Sequence, residues 1–227
     1  MESKSELRKK YRDLLSSSKN RIFRSESKDD SGAIIDHDGV SGNQNPLLVE
    51  RLKVFFSSQG GTWVAYHALA GEPDLGDLFA QSPTVQWAFP RIEDDELQYY
   101  LPVGRAEMVR NALGILEPDP QQARRLEDRE IEGFIIPGLA FDENGYRLGR
   151  GRGFYDRSLA RMQKLNQKYL KIGVAFDWQI HNQNLPIEPF DIPMDRVFTD
   201  LREVDCCLRH LNSMTTVAPF QKKEKTK

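Results

Sequence analysis

Fourteen residues, Asn144 to Arg157, hold four glycines and four arginines and close on Phe154, Tyr155, Asp156 and Arg157. Glycine lets a backbone approach a ligand and take up positive φ. Guanidinium groups offer planar forks that match phosphate and carboxylate oxygens. Apolar residues then recur at Leu159, Met162 and Leu165, so the stretch opens onto a helix N-terminus. Free N–H groups and the positive end of the helix dipole favour an anion there. Read from residue types alone, the stretch is a phosphate cradle. The same composition suits a solvated loop or an RGG-like contact for single-stranded nucleic acid. A single copy between the apolar run Ile131 to Leu139 and an amphipathic helix favours the structured anion loop. No Gly-Lys-Ser/Thr closes it, and its third glycine falls too early for a dinucleotide fingerprint, so the common nucleotide motifs do not describe it.

The chain around this stretch is balanced. Its 227 residues carry a net charge of −2, with an isoelectric point near 6.1 and a mean hydropathy of −0.60. That composition argues against general nucleic-acid binding, which needs a basic face. The four local arginines therefore read as a site. No apolar run approaches membrane-spanning length, and Met1 to Glu6 lacks the apolar core of a secretory signal. Cys206 and Cys207 are the only cysteines. As neighbours in a strand-like run they point to opposite faces, so no disulfide framework is expected. The expectation is a cytoplasmic protein with small-molecule partners, neither nucleic acid nor membrane, as a monomer or weak homodimer.

The elements that must position the cradle follow from periodicity. Leu7, Tyr11, Leu14 and Leu15 mark a helix over 4–16 that Ser3 or Ser5 caps. Residues 25–46 turn polar and read as a loop insertion, after which Pro46 starts a helix through about Ser58 with Leu48, Leu52, Phe55 and Phe56 inward. Strands are expected over 62–69, 84–89, 97–101, 131–137, 170–176 and 203–208, with helices over 72–80 and 155–168 and a connector over 117–130. Strands alternating with helices indicate one α/β domain over 1–210, a three-layer αβα arrangement with a largely parallel central sheet. Residues 211–227 read as a flexible tail.

Gly145-Tyr146-Arg147-Leu148-Gly149-Arg150-Gly151-Arg152-Gly153-Phe154-Tyr155-Asp156 resembles the signature of the 5-formyltetrahydrofolate cyclo-ligase family, Arg-Leu-Gly-Arg-Gly-x-Gly-Tyr-Tyr-Asp. Further landmarks are similar in order and spacing: Lys4 to Arg8, Phe89-Pro90-Arg91, Gly114 to Pro118, Pro137 to Asp142, Gly173 to Phe176 with Gln179, Leu185 to Asp191, and Asp195 to Asp200. The likeness spans about residues 4–205 apart from the insertion. Phe154 departs from the pattern, where the family carries a tyrosine.

The resemblance implies ATP-dependent cyclisation of 5-formyltetrahydrofolate to 5,10-methenyltetrahydrofolate with Mg²⁺. It implies ATP contacts from Lys4, Arg8, Arg147, Leu148, Gly149, Arg150, Gly151, Arg152, Gly153, Phe154 and Tyr155. Folate contacts would come from His67, Glu72, Arg150, Gly151, Gly153, Phe154 and Tyr155, and magnesium contacts from Asp156 and Asp191. Arg150 and Tyr155 are the implied catalytic pair. On residue types alone, Asp156 also reads as a helix cap and Asp191 as a turn residue between prolines. The alternative is a non-catalytic relative that keeps the nucleotide and folate contacts but has lost the activity.

Overall fold

In the run Ile131–Pro137, Ile131, Phe134, Ile135 and Ile136 are all buried. A strand covered on both faces reads as a nearly continuous apolar run, broken here only by the exposed Glu132, and this one lies inside the principal sheet. The computed structural model describes residues 2–22, 45–104, 107–111, 115–165 and 168–207, with side chains given to residue 16 in the first of these segments. Most of the polar stretch 25–46 and the whole tail 211–227 lie outside the described residues. Among the described residues no helix is long and apolar enough to cross a membrane.

The chain runs through α1 (Lys4–Ile22), α2 (Pro46–Phe56), β1 (Gly61–Val64), α3 (Gly76–Gln81), β2 (Val85–Glu93), β3 (Glu96–Leu101), β4 (Met108–Arg110), β5 (Leu116–Pro118), β6 (Arg124–Arg125) and β7 (Ile131–Pro137). It continues through β8 (Ala140–Asp142), β9 (Arg147–Leu148), α4 (Phe154–Gln163), β10 (Leu170–Val174), β11 (Ile180–His181), β12 (Arg196–Phe198) and β13 (Glu203–Asp205). The main sheet has the order β13-β12-β10-β7-β1-β2-β3-β6. Its five inner strands, β12 to β2 in that order, are mutually parallel. The edge pairs β12/β13, β2/β3 and β3/β6 are antiparallel.

Alternate residues of the inner strands serve two cores. On one face, Leu48, Leu52 and Phe56 of α2 pack with Trp63, Ile135, Ile172 and Phe198. On the other, Leu159 and Met162 of α4 pack with Phe134, Ile136 and Val197. The expected three-layer αβα architecture is therefore present. Helix α1 belongs to neither layer. Leu7, Tyr11 and Leu15, spaced four apart, bury against Leu139, Ala140, Leu148 and Leu185 around the small sheet β11-β8-β9. Ser3 and Glu6 cap it reciprocally, Ser3 N–H donating to Glu6 Oε2 at 2.8 Å and Glu6 N–H to Ser3 Oγ at 3.3 Å.

Several boundaries differ from expectation. The strand placed at 62–69 stops at Val64, and the helix placed at 72 begins at Gly76. Between them Leu69 and Glu72 close a turn, with Leu69 N–H donating to Glu72 Oε2 and Glu72 N–H to the Leu69 carbonyl. Strand β2 runs on to Glu93, and the connector 117–130 holds β6 and a 3₁₀ turn. Leu14 and Leu165, placed inward by periodicity, are exposed. Cys206 and Cys207 lie just past β13, yet the first is buried and the second exposed, so the opposed facing holds.

Candidate active site

Arg147 and Leu148 are strand, not loop: β9 pairs antiparallel with β8 in a hairpin at the carboxyl end of β7. The hairpin turn is fastened by buried Asp142. Its Oδ1 accepts from Asn144 N–H at 3.0 Å and Tyr146 N–H at 2.9 Å, and its Oδ2 accepts from Leu185 N–H at 2.9 Å. Burial still pushes this carboxyl above its ordinary value, against the lowering effect of the three donors. The glycine-rich segment then turns into α4. Gly151 and Gly153 take φ of 107° and 65°, in the left-handed region that side chains rarely adopt. Gly153 is the N-cap of α4 and supplies no side-chain cap, so the first N–H groups of a ten-residue helix face outward without a side-chain partner. Asp156 sits at the third position of that helix rather than at its cap.

This corner forms one wall of a cavity of about 330 Å³. The facing wall is apolar, with Leu69, Ile92, Leu97 and Leu116. His67 lines it too, stacked on Phe89 at 4.3 Å between centroids and 13° between planes. Of the residues singled out in the sequence, His67, Glu72, Arg147, Gly149, Arg150, Arg152 and the run Gly153 to Asp156 all line this one space. Leu148 is buried beneath it.

Arg147 is its most constrained cation. Its side chain is 4% exposed, and its Nη2 meets Asp156 Oδ1 at 2.8 Å. The guanidinium carbon lies 5.2 Å from the Tyr155 ring centroid. Nε and Nη1 are buried and have no hydrogen-bond partner among the described residues. A buried donor left in that state costs about 1–3 kcal/mol, so this wall is built to receive an acceptor. Arg150 turns both Nε and Nη2 onto Glu72 Oε1, at 3.0 and 2.8 Å. Burial, with Tyr99 and Glu72 nearby, holds the Tyr155 phenol well above its usual range, so it is a protonated donor.

Helix α1 presents a cationic stripe to the same segment. Arg8 Nε donates to the Gly149 carbonyl at 3.2 Å and Arg12 Nη2 to the Arg150 carbonyl at 3.0 Å. Lys4 Nζ is held by Asp191 Oδ2 at 2.5 Å and Glu188 Oε2 at 2.7 Å. Lys4, Arg8, Gly151 and Asp191 flank the cavity rather than line it. Arg12 escaped the sequence reading although its signal was present, since positions 4, 8 and 12 share one helix face. Arg157, read in sequence only as one of four local arginines, donates to the Arg152 carbonyl and to the Asp95 carbonyl, each at 2.7 Å, and so bridges the two walls.

The two acidic residues implied as magnesium ligands go to different cations, Asp156 to Arg147 and Asp191 to Lys4. Among the described residues no group of three or more His, Cys, Asp or Glu side chains could hold a metal. One carboxylate on the cavity wall and one beside α1 suit a hard cation that arrives with phosphate oxygens and keeps its waters, not an all-protein cage.

Known proteins resemble this chain in sequence and in fold. A family model described as the 5-formyltetrahydrofolate cyclo-ligase family matches residues 75–200. The mitochondrial 5-formyltetrahydrofolate cyclo-ligase of Arabidopsis thaliana is 36% identical over 121 residues, covering 48% of this chain and 44% of that protein. The Escherichia coli K12 enzyme of the same name is 41% identical over 95 residues, covering 42% of this chain and 50% of that one. The chain thus matches about half the length of these curated relatives. The solution structure of Aquifex aeolicus 5,10-methenyltetrahydrofolate synthetase superposes with a TM-score of 0.65 at 31% identity, over 89% of this chain and 92% of that one. With more than half of the chain, the glycine-rich segment included, matched by that family model, the chain belongs to the 5-formyltetrahydrofolate cyclo-ligase family.

Proposed function

We propose that the protein catalyses the ATP-dependent closure of 5-formyltetrahydrofolate to 5,10-methenyltetrahydrofolate, releasing ADP and phosphate. The observation that carries this reading is the pairing, in one cavity, of Arg147, Arg150 and an uncapped helix N-terminus with an apolar wall. One side suits a polyanion and the other a flat heterocycle.

The formyl group on N5 is amide-like and a poor electrophile. Transfer of the γ-phosphoryl group to its oxygen yields an iminium-like phosphate. N10 attacks that carbon and loses its proton, and the C–O bond breaks to release inorganic phosphate. Phosphoryl transfer of this kind rests on positioning and charge stabilisation, so no Ser-His-Asp or Cys-His set is required. The α4 N–H groups and the free donors of Arg147 hold phosphate oxygens. Lys4 and Arg8 close over the nucleotide from α1. Arg150, anchored on Glu72, meets the reacting oxygen, and the Tyr155 hydroxyl donates beside it. Magnesium bound to the nucleotide would neutralise its phosphates, with Asp156 and Asp191 as its protein carboxylates.

The test mixes folded protein with 5-formyltetrahydrofolate and Mg-ATP and follows methenyltetrahydrofolate absorbance. Product formation is expected. Absence of product alongside measurable binding of ATP and folate would establish the non-catalytic relative instead.

A further inference from the structure

One carboxylate in the cavity wall has no part in the chemistry above. Glu117 on β5 has a side chain only 6% exposed and lines the cavity. A carboxylate so buried is costly to keep charged without partners. Asn111 Nδ2 donates to its Oε1 at 2.9 Å, and Asn111 is itself oriented by accepting Ile115 N–H at 3.0 Å. Oε2 faces Arg91 Nη1 across 3.7 Å, beyond hydrogen-bond reach, because that nitrogen donates to the Pro118 carbonyl at 3.0 Å. Glu117 is thus charge-compensated and held in place on one oxygen, with no hydrogen bond to the other from the described residues. The remaining acidic groups of the cavity are engaged. Both oxygens of Glu72 take donors, from Arg150 and Leu69, and Asp156 is paired with Arg147.

We infer that Glu117 is the specificity-determining acceptor for the pyrimidine edge of a reduced pterin, a role that rests on the folate reading above. That edge carries N3–H and the exocyclic 2-amino group side by side, two donors spaced to meet a carboxylate as a guanidinium does. Adenine places an amino group beside a ring acceptor, so a carboxylate there would confront a lone pair. Glu117 therefore selects pterin over adenine at the sheet side of the cavity and leaves the glycine-rich side to the nucleotide phosphates.

Calorimetric titration of 5-formyltetrahydrofolate, its 2-desamino analogue and ATP, each into wild type and Glu117→Gln, tests this. In the variant, folate affinity falls roughly 10- to 100-fold while ATP affinity stays within about twofold. Wild type prefers the folate over the analogue by a similar factor, and the variant loses that preference. Equal folate affinity in a folded variant, or no preference in wild type, overturns the inference. If Glu117→Gln fails to fold, the wild-type comparison of folate with analogue decides alone. Wild type that binds and turns over folate yet accepts the analogue equally refutes this role only. Wild type that takes ATP but no folate refutes the folate reading as well.

Discussion

The two walls of the cavity are held together by different physics. On the wall made by α1, β9 and the start of α4, Arg8 and Arg12 rest on backbone carbonyls, and Lys4 and Arg150 on carboxylates. Lys4 and Asp191 are 14% and 11% exposed and Glu72 is 7% exposed, so in these pairs the hydration lost offsets much of the attraction gained. On the facing wall, Leu97 and Ile92 belong to a sheet whose apolar side chains are buried in the two cores. The first wall is organised by polar contacts that a polyanion can replace one for one. The second, Glu117 apart, offers apolar side chains with no contacts to exchange and serves as a fixed surface. Arg157 joins them through Asp95, in a β2–β3 turn where Asp94 and Asp95 both take positive φ, 46° and 66°.

Substitutions that strike one wall alone should separate these roles. The largest effect is expected at Arg150. Arg150→Ala lowers kcat/KM by about 100- to 1,000-fold, while the loss of its two bonds to the nearly buried Glu72 Oε1 costs about 1–3 kcal/mol of stability. Steady-state kinetics beside a thermal melt check this, and equal losses in both would make Arg150 a structural residue. On the other wall, Leu97→Ala costs about 2–4 kcal/mol of stability by leaving a cavity. It raises KM for the folate without changing KM for ATP. If ATP suffers equally, the walls are not separate.

Smaller effects are expected where the walls meet and beyond them. The Phe154 ring lies 5.2 Å from the Arg157 guanidinium and 6.0 Å from that of Arg152. Its ring already satisfies that geometry, so Phe154→Tyr changes kcat and either KM by about threefold at most, in keeping with the modest size of a cation–π contact. A large gain would show that the hydroxyl missing from this chain matters to the chemistry. The smallest effect concerns the thiols. Burial pushes Cys206 up to about 12, and Cys207, exposed, is also raised. The thiolate is the reactive form and exists only above the thiol's own pKa. Iodoacetamide at pH 8 should therefore label Cys207 slowly and Cys206 not at all, leaving activity unchanged; peptide mass spectrometry reads the outcome.

Much of the frame was legible in sequence because its signals are local. The strand 131–137 is apolar at every position but Glu132 and follows the polar stretch Glu127 to Glu130, and the helix at Pro46 carries both its start signal and its buried stripe. The same logic failed where a local pattern competes with solvent. Leu14 and Leu165 fit helical periodicity, yet they fall at the edges of their buried stripes and stay exposed. The strand expected through Leu69 stops early because the Leu69–Glu72 turn captures its backbone groups. Arg147 and Leu148 look like loop in sequence, since a two-residue strand is too short to show a period and exists only by pairing with β8.

Residue types alone determined that a glycine- and arginine-rich turn opens onto a helix N-terminus and that the chain's landmarks resemble one family. Both depend on short-range chemistry: glycines that permit positive φ, arginines that fit oxygens, and fixed spacings along the chain. The tertiary structure decided which charge meets which. Glu72 reaches Arg150 across 78 residues, and Lys4 reaches Asp191 across 187. It also brought Glu117, in sequence only part of the Gly114 to Pro118 landmark with no role assigned, to the cavity wall. Such pairings depend on strand order and register, where a slip of one residue moves every side chain to the opposite face, and no local pattern encodes that.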